Sequence, residues 1–364
     1  DPAAASRYFG TVLQGDAVMA RGITLGVQAV AVVAAIVGVA MAPNVLETFD
    51  LMQITLFGAM ATLSLSLAFI WGYGGILCFG QTAFFGLGGH AYALTVVDFG
   101  DSTPAIALAI LVPAVFALVL GYFIFYGRIS DVYLGVITLT VTLILFNVAN
   151  STSGEEYHIG QARLGGFNGM PSVPTLNTPF DPSSPLSPKS SWQVTGFALV
   201  GVYLLMRILR VSPWGRVVVA VRENETRAAL LGYDPRFAKL WTFVLGGAVA
   251  GLGGALYVNW GAFVGPTIFS LSLSAEIIIW ITVGGLGTLL GPIVGCVIIQ
   301  YTVAKIGSQQ AFNSNLVLGA VLLVFVLLPK GIVPTVSALA QGAFSRARGT
   351  GSTRTLAGQA AEAK

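Results

Sequence analysis

Long apolar runs constrain this chain more than any other feature. A helix needs about 20 apolar residues, at about 1.5 Å rise per residue, to cross the hydrocarbon of a bilayer. Runs near that length recur at Ile23–Ala42, Leu51–Trp71, Phe79–Val97, Ala105–Tyr126, Val132–Ala149, Trp192–Met206, Leu240–Trp260, Ala275–Val283, Leu289–Ala304 and Leu316–Leu328, the eighth being the shortest. They do not alternate polar with apolar residues, as strands of a membrane barrel would. Only 9% of the 364 residues are charged and 55% are hydrophobic, whereas a soluble domain carries about 25% charged residues. The expected fold is all-α: a polytopic transmembrane helical bundle of about ten spans.

Basic residues indicate its orientation, because Lys and Arg accumulate in cytoplasmic loops. With the N-terminus inside and an even number of spans, the C-terminus is also cytoplasmic. Of the 18 Lys and Arg residues, all but Arg163, Lys189 and Lys305 then lie on the inner side. This divides the chain into a cytoplasmic segment 1–22, a transmembrane region 23–335 and a tail 336–364. The tail is rich in Gly, Ser, Thr, Ala and Arg and is expected to be disordered. A Gly- and Pro-rich loop, 150–191, faces outward, and a charged loop, 211–239, faces inward. Residues 1–22 show no secretory signal pattern.

Several chemistries are excluded. Cys78 and Cys296 lack metal or redox spacing, and His90 and His158 are the only histidines, so no metal site is expected. A net charge of +3 does not suggest nucleic acid. No Gly-x-x-x-x-Gly-Lys-Ser/Thr loop occurs, so no nucleotide site is expected on this chain. No nucleophile–base–orienter set lies in the spans, which argues against an enzyme.

Three stretches carry candidate function. The inner loop is dense in charge and helical in pattern. A short helix from about Arg216 carries Val219, Arg222 and Glu223 over successive turns, and Gly232 is placed to stop it. Glu223 and Arg227 stand at i, i+4, a spacing that supports an exposed helix. Ala228, Ala229, Leu230 and Leu231 would face a partner or the bundle.

The second stretch, Gly72 to Tyr92, holds glycines at 72, 74, 75, 80, 86, 88 and 89, each costing a helix roughly 1 kcal/mol relative to Ala. Broken backbone at membrane depth survives only where protein buries it or a cavity hydrates it. Gly80, Gln81, Phe84, Phe85, Gly89 and His90 are therefore candidates for a pathway or gate, as is Thr138 on the fifth span. Close helix contact through small residues accounts equally well for any single glycine. The third stretch, Ser272 to Pro292, contains Glu276, a carboxylate near the body of a span and so a functional candidate. Its place within a turn of the outer surface also suits a structural role.

The inner loop resembles the coupling loop of ABC importer permeases, a loose pattern of Glu, two alanines and Gly, here Glu225, Ala228, Ala229 and Gly232. Gly215-Arg216, Arg222-Glu223-Asn224-Glu225, Leu231-Gly232-Tyr233 and Lys239 resemble the branched-chain amino acid permease family, of which urea and short-amide permeases form a branch. Gly165-Gly166-Phe167-Asn168-Gly169, Tyr133 to Leu139, Gly284 to Pro292 and Leu328-Pro329-Lys330-Gly331 extend the resemblance to residues 50–335. Cys78 and His90 depart from the family pattern, which usually has Ser and a small residue there.

The resemblance implies a bacterial inner-membrane permease subunit forming half of a translocation pathway for a hydrophobic amino acid or for urea or a short amide. It implies Arg216, Arg222, Glu223, Glu225, Arg227, Ala229 and Gly232 as the ATPase-coupling loop. The partners it implies are a second permease, two cytoplasmic ATPase subunits that hold ATP and Mg, a periplasmic solute-binding protein, and membrane lipid. A self-contained secondary transporter is the alternative. It would need a buried coupling site, for which only Glu276 and Asp131 stand near membrane depth.

Overall fold

A computed structural model describes residues 30 and 32–307, except 155 and 180, together with 319, 331, 333 and 335. Helices dominate: α1 (Val32–Val45), α2 (Thr48–Gly72), α3 (Gln81–Phe99), α4 (Ser102–Tyr126), α5 (Asp131–Ser151), α6 (Pro188–Val211), α7 (Pro213–Glu223), α8 (Glu225–Leu230), α9 (Pro235–Gly261), α10 (Leu271–Gly284) and α11 (Leu290–Gly307). The segment 1–22, the apolar run Leu316–Leu328 apart from Gly319, and the tail 336–364 lie outside the described residues.

The chain is a multi-pass helical membrane protein, and the described residues bear on only part of the expected span count. Five helices are long and apolar enough to cross a membrane: α2, α4, α5, α6 and α9. α1, α10 and α11 are shorter apolar helices. α10 has 14 residues and is therefore about 21 Å long, short of the roughly 30 Å hydrocarbon layer. α3 begins at Gln81 rather than Phe79, because Tyr73–Gly80 leaves the helical path.

α9 is the central post, in contact with α2, α3 and α4. It comes so close because it carries small residues where the neighbours cross. A Cβ at Gly247 would stand 2.8 Å from that of Ala117, and one at Gly251 would collide with the Ala109 carbonyl on α4. Gly88 of α3 meets the Gly251 backbone on another side. In lipid, where apolar surface gains nothing by leaving water, such contact is what holds helices together. Phe84 completes the centre, edge-on to Phe243 at 5.2 Å between ring centroids.

The loop 150–191 is ordered by small ladders and by two buried amides. β1 (His158–Ile159) pairs with β2 (Ala162–Arg163), and β4 (Asn177–Thr178) pairs with β5 (Asp181–Pro185), both antiparallel. β3 (Met170–Pro171) pairs with β6 (Phe263–Val264), joining the loop to the end of α9. Asn259 accepts from Leu176 N at 2.8 Å and donates to Ser191 Oγ at 2.6 Å. Asn177 accepts from Ser102 N at 2.8 Å, and its own N–H donates to Ser102 Oγ at 3.1 Å. At a wall of the bundle, Trp192 Nε1 donates to the Val39 carbonyl at 3.0 Å, fastening α6 to α1.

Candidate functional site: a clasped helix pair and a broken helix

At the end of the bundle opposite the loop 150–191, α7 and α8 form an elbow. α7 starts at Pro213, three residues before the expected Arg216. Ser212 is its N-cap, its hydroxyl accepting from Gly215 N at 3.1 Å, and Pro213 occupies the first helical position. There the missing N–H of proline costs nothing. Asn224 then breaks the helix with an extended backbone and caps α8, its side chain accepting from Arg227 N at 2.8 Å.

That break corrects the expectation for Glu223 and Arg227, which belong to different helices and do not support one another along a face. Glu223 instead lies 3.2 Å from Arg222. Both side chains are exposed, so this pair adds little. Gly232, at φ +89°, ends the unit where a side chain would be strained.

Val218, Val221 and Ala228 are buried with Ala238 of α9 in a small apolar core. The elbow also leaves Leu230, 84% exposed, Leu231, 71% exposed, and Tyr233 at the surface, and Arg216, Glu225, Arg227 and Ala229 are exposed as well. Lys239, on α9 and largely buried, reaches back to Glu225 at 2.6 Å and to Asp131 of α5 at 3.6 Å. Thus Glu225 is held to the bundle.

Arg222 makes the decisive contact. Its guanidinium donates to the carbonyl oxygen of Gly72, at the C-terminus of α2. Such carbonyls lack a partner within the helix and carry the negative end of its dipole, so a cation is well matched there. Gly75, at φ +70°, leaves room for the arginine stem: a Cβ would stand 2.7 Å from Arg222 Cγ. Tyr73, the first residue of the break, donates from its hydroxyl to the Gly287 carbonyl at 2.9 Å, in the turn between α10 and α11. Arg210 at the end of α6 donates to the same hydroxyl at 3.4 Å. Elbow, broken helix and α10–α11 turn are therefore linked in series.

From Tyr73 to Gly80 the chain runs into the bundle without helix. Gly80 abuts Thr138 of α5 so closely that a Cβ would collide with the Thr138 carbonyl. Thr138 itself donates to the Gly135 carbonyl at 3.0 Å. Gln81 starts α3 fully buried, and its amide donates to Ser66 Oγ at 2.9 Å and to the Gly246 carbonyl at 3.2 Å. Gln81 Oε1 has no partner among the described residues.

The other pathway candidates are dispersed. Phe84, Phe85 and Gly89 sit in the closed core between α3 and α9. His90 bonds through Nδ1 to the Gly86 carbonyl at 2.8 Å, stacks on Phe269 and lines an apolar cavity of about 230 Å³ beneath the loop 150–191. Glu276 is partly buried on α10. No group of His, Cys, Asp and Glu that could hold a metal occurs among the described residues.

Comparison with known sequences matches residues 51–327 to the family described as "Branched-chain amino acid transport system / permease component". The chain belongs to this family.

Among its relatives is the high-affinity branched-chain amino acid transport system permease protein LivM of Escherichia coli, 26% identical over 308 residues, covering 79% of this permease and 70% of that one. LivM of Salmonella typhimurium is 26% identical over 293 residues, covering 75% and 67%. The probable LivM of Methanocaldococcus jannaschii is 27% identical over 244 residues, covering 58% and 68%. No solved structure matches.

The match contains both the elbow and the broken helix of this permease. Tyr73, Arg210 and Asn259 carry contacts that sequence reasoning did not single out. Asn259 had a signal: a lone amide in an apolar span must find partners, because an unpaired polar group in hydrocarbon is costly.

Proposed function

We propose that this permease forms half of the translocation path of a binding-protein-dependent ABC importer for branched-chain amino acids, in the bacterial inner membrane with both termini cytoplasmic. The observation that carries the proposal is the α7–α8 elbow. It shows Leu230, Leu231 and Tyr233 outward while being clasped to α2 through Arg222 and to α5 and α9 through Lys239. An exposed apolar cluster on a stiff, capped unit suits a partner that pushes on it. The partner is a cytoplasmic ATPase pair, where ATP and Mg bind. A second permease completes the channel and a periplasmic binding protein delivers solute.

The choice of branched-chain amino acids over urea or short amides is supported by the family description and by the names of the relatives.

The test is uptake into proteoliposomes that carry this permease, its second permease and the ATPase pair, with the cognate binding protein outside. Leucine accumulation that requires internal ATP supports the proposal. ATP-dependent uptake of urea or acetamide in place of leucine overturns the substrate, and accumulation by this chain alone without ATP overturns the importer.

A further inference from the structure

Where α4, α5, α8 and α9 meet, a cavity of about 410 Å³ opens to the surface. Three cations and two anions line it: Arg128, Arg236, Lys239, Asp131 and Glu225. Their charges do not pair off evenly. Lys239 is held by both carboxylates, at 2.6 Å from Glu225 and 3.6 Å from Asp131. Arg128 and Arg236 therefore have no carboxylate partner among the described residues. The Arg236 guanidinium instead stands over the Tyr126 ring, 6.0 Å from its centroid. Arg128 closes the α4–α5 turn at φ +56°.

The surface beside this cavity is aromatic. Tyr122 stacks on Tyr126 at 5.0 Å, and Phe237 meets Trp241 edge-on at 6.0 Å. Tyr122 is 54% exposed, Phe237 50% and Trp241 40%. Tyr and Trp collect at the level of lipid headgroups, with apolar rings towards the acyl chains. The cavity carries one net positive charge, with two arginines outside the ion pairs, next to such a rim and at the ends of spanning helices; this matches an anionic headgroup whose chains lie along the rim.

We propose that this cavity binds the phosphate headgroup of an acidic phospholipid, with Arg128 and Arg236 as its anion ligands and Tyr122, Phe237 and Trp241 bordering the acyl chains. Occupancy would bridge the α4–α5 turn to the start of α9, beside the carboxylate of Glu225. The site does not depend on which leaflet it faces.

The full chain is placed in nanodiscs of phosphatidylcholine with or without phosphatidylglycerol, so that both leaflets have one composition and failure of the importer reading leaves the result intact. Phosphatidylglycerol is expected to raise the melting temperature. Brominated phosphatidylglycerol is expected to quench emission from Trp241, read as the difference between the parent and Trp241→Phe, more strongly than brominated phosphatidylcholine. Replacing Arg128→Gln or Arg236→Gln is expected to weaken lipid competition about fivefold each, the usual effect of one basic residue near an anionic surface.

Equal melting temperatures and equal quenching in the two lipids overturn the proposal. So does a double variant that keeps the full phosphatidylglycerol response. An equal stabilisation by inorganic phosphate in phosphatidylcholine discs also overturns it, by assigning the cavity to a soluble anion. If the double variant does not fold, the quenching comparison on the parent chain decides.

Discussion

The guanidinium of Arg222 on α7 donates to the carbonyl oxygen of Gly72 at the C-terminus of α2, across 150 positions of sequence. This bond attaches the proposed drive element to a spanning helix at the point where that helix breaks. Arg222→Ala leaves the carbonyl open and frees the elbow. ATP-driven uptake is expected to fall about tenfold or more, as for removal of a charge-assisted hydrogen bond worth about 1.5–3 kcal/mol, with ATP hydrolysis by the complex retained. Arg222→Lys restores part of the uptake, since a cation still faces the helix end. Parallel uptake and hydrolysis assays on the reconstituted complex check the split; unchanged uptake in Arg222→Ala would remove the clasp from the mechanism.

The exposed pair Leu230 and Leu231 leads to a different loss. Because they project outward, Leu230→Asp with Leu231→Asp is expected to leave the melting temperature of the isolated permease within a degree or two of the parent, surface changes being worth about 0.5 kcal/mol or less. Recovery of the ATPase subunits on affinity purification is expected to drop about thirtyfold, the loss of an interface hot spot of about 2 kcal/mol. Normal recovery would place the ATPase elsewhere.

Gly251 tests the architecture. Its α-carbon lies against the α3 backbone at Gly88, and any side chain there meets the Ala109 carbonyl and Pro113 on α4. Gly251→Ala is expected to destabilise the bundle by about 1–3 kcal/mol through overpacking, and Gly251→Leu to prevent stable folding. Thermal denaturation in detergent reads both. Full stability of Gly251→Leu would contradict the α3–α9–α4 contact.

Asn259 serves two sides at once, receiving the Leu176 N–H and donating to Ser191. Asn259→Leu strands that buried amide hydrogen at a cost of about 1–3 kcal/mol. Hydrogen exchange at Leu176 is expected to accelerate, while exchange in α7 and α8 at the other end stays unchanged.

Asp101 gives a pH dependence. The backbone N–H of Thr103 donates to its carboxylate at 2.8 Å and, with the more distant Asn177 amide, holds the carboxyl below its usual range. A depressed folded value means that the stabilisation is present above the ordinary carboxylate range and is lost as pH falls through the lower folded value. Asp101→Asn still caps α4 but does not titrate. The melting temperature of the parent should therefore fall relative to that of the variant as pH drops below about 4; parallel curves would exclude the effect.

What the sequence settled by itself was local. Apolar runs specify membrane helices, because each helix satisfies its own backbone and hydrocarbon tolerates little else. Gly232 marks a helix stop. Tertiary structure decided the rest. Gln81, Phe84 and Phe85 read as pathway candidates along the chain, and it is the crossing of α2, α3 and α9 that buries all three. Glu223 and Arg227 read as one helical face until Asn224 turned to cap α8. Arg222 and Gly72, or Lys239 and Asp131, meet only through the crossing of separate helices. Periodicity reports which face of a helix is apolar, but the partner of each polar group depends on the distances and angles at which helices cross.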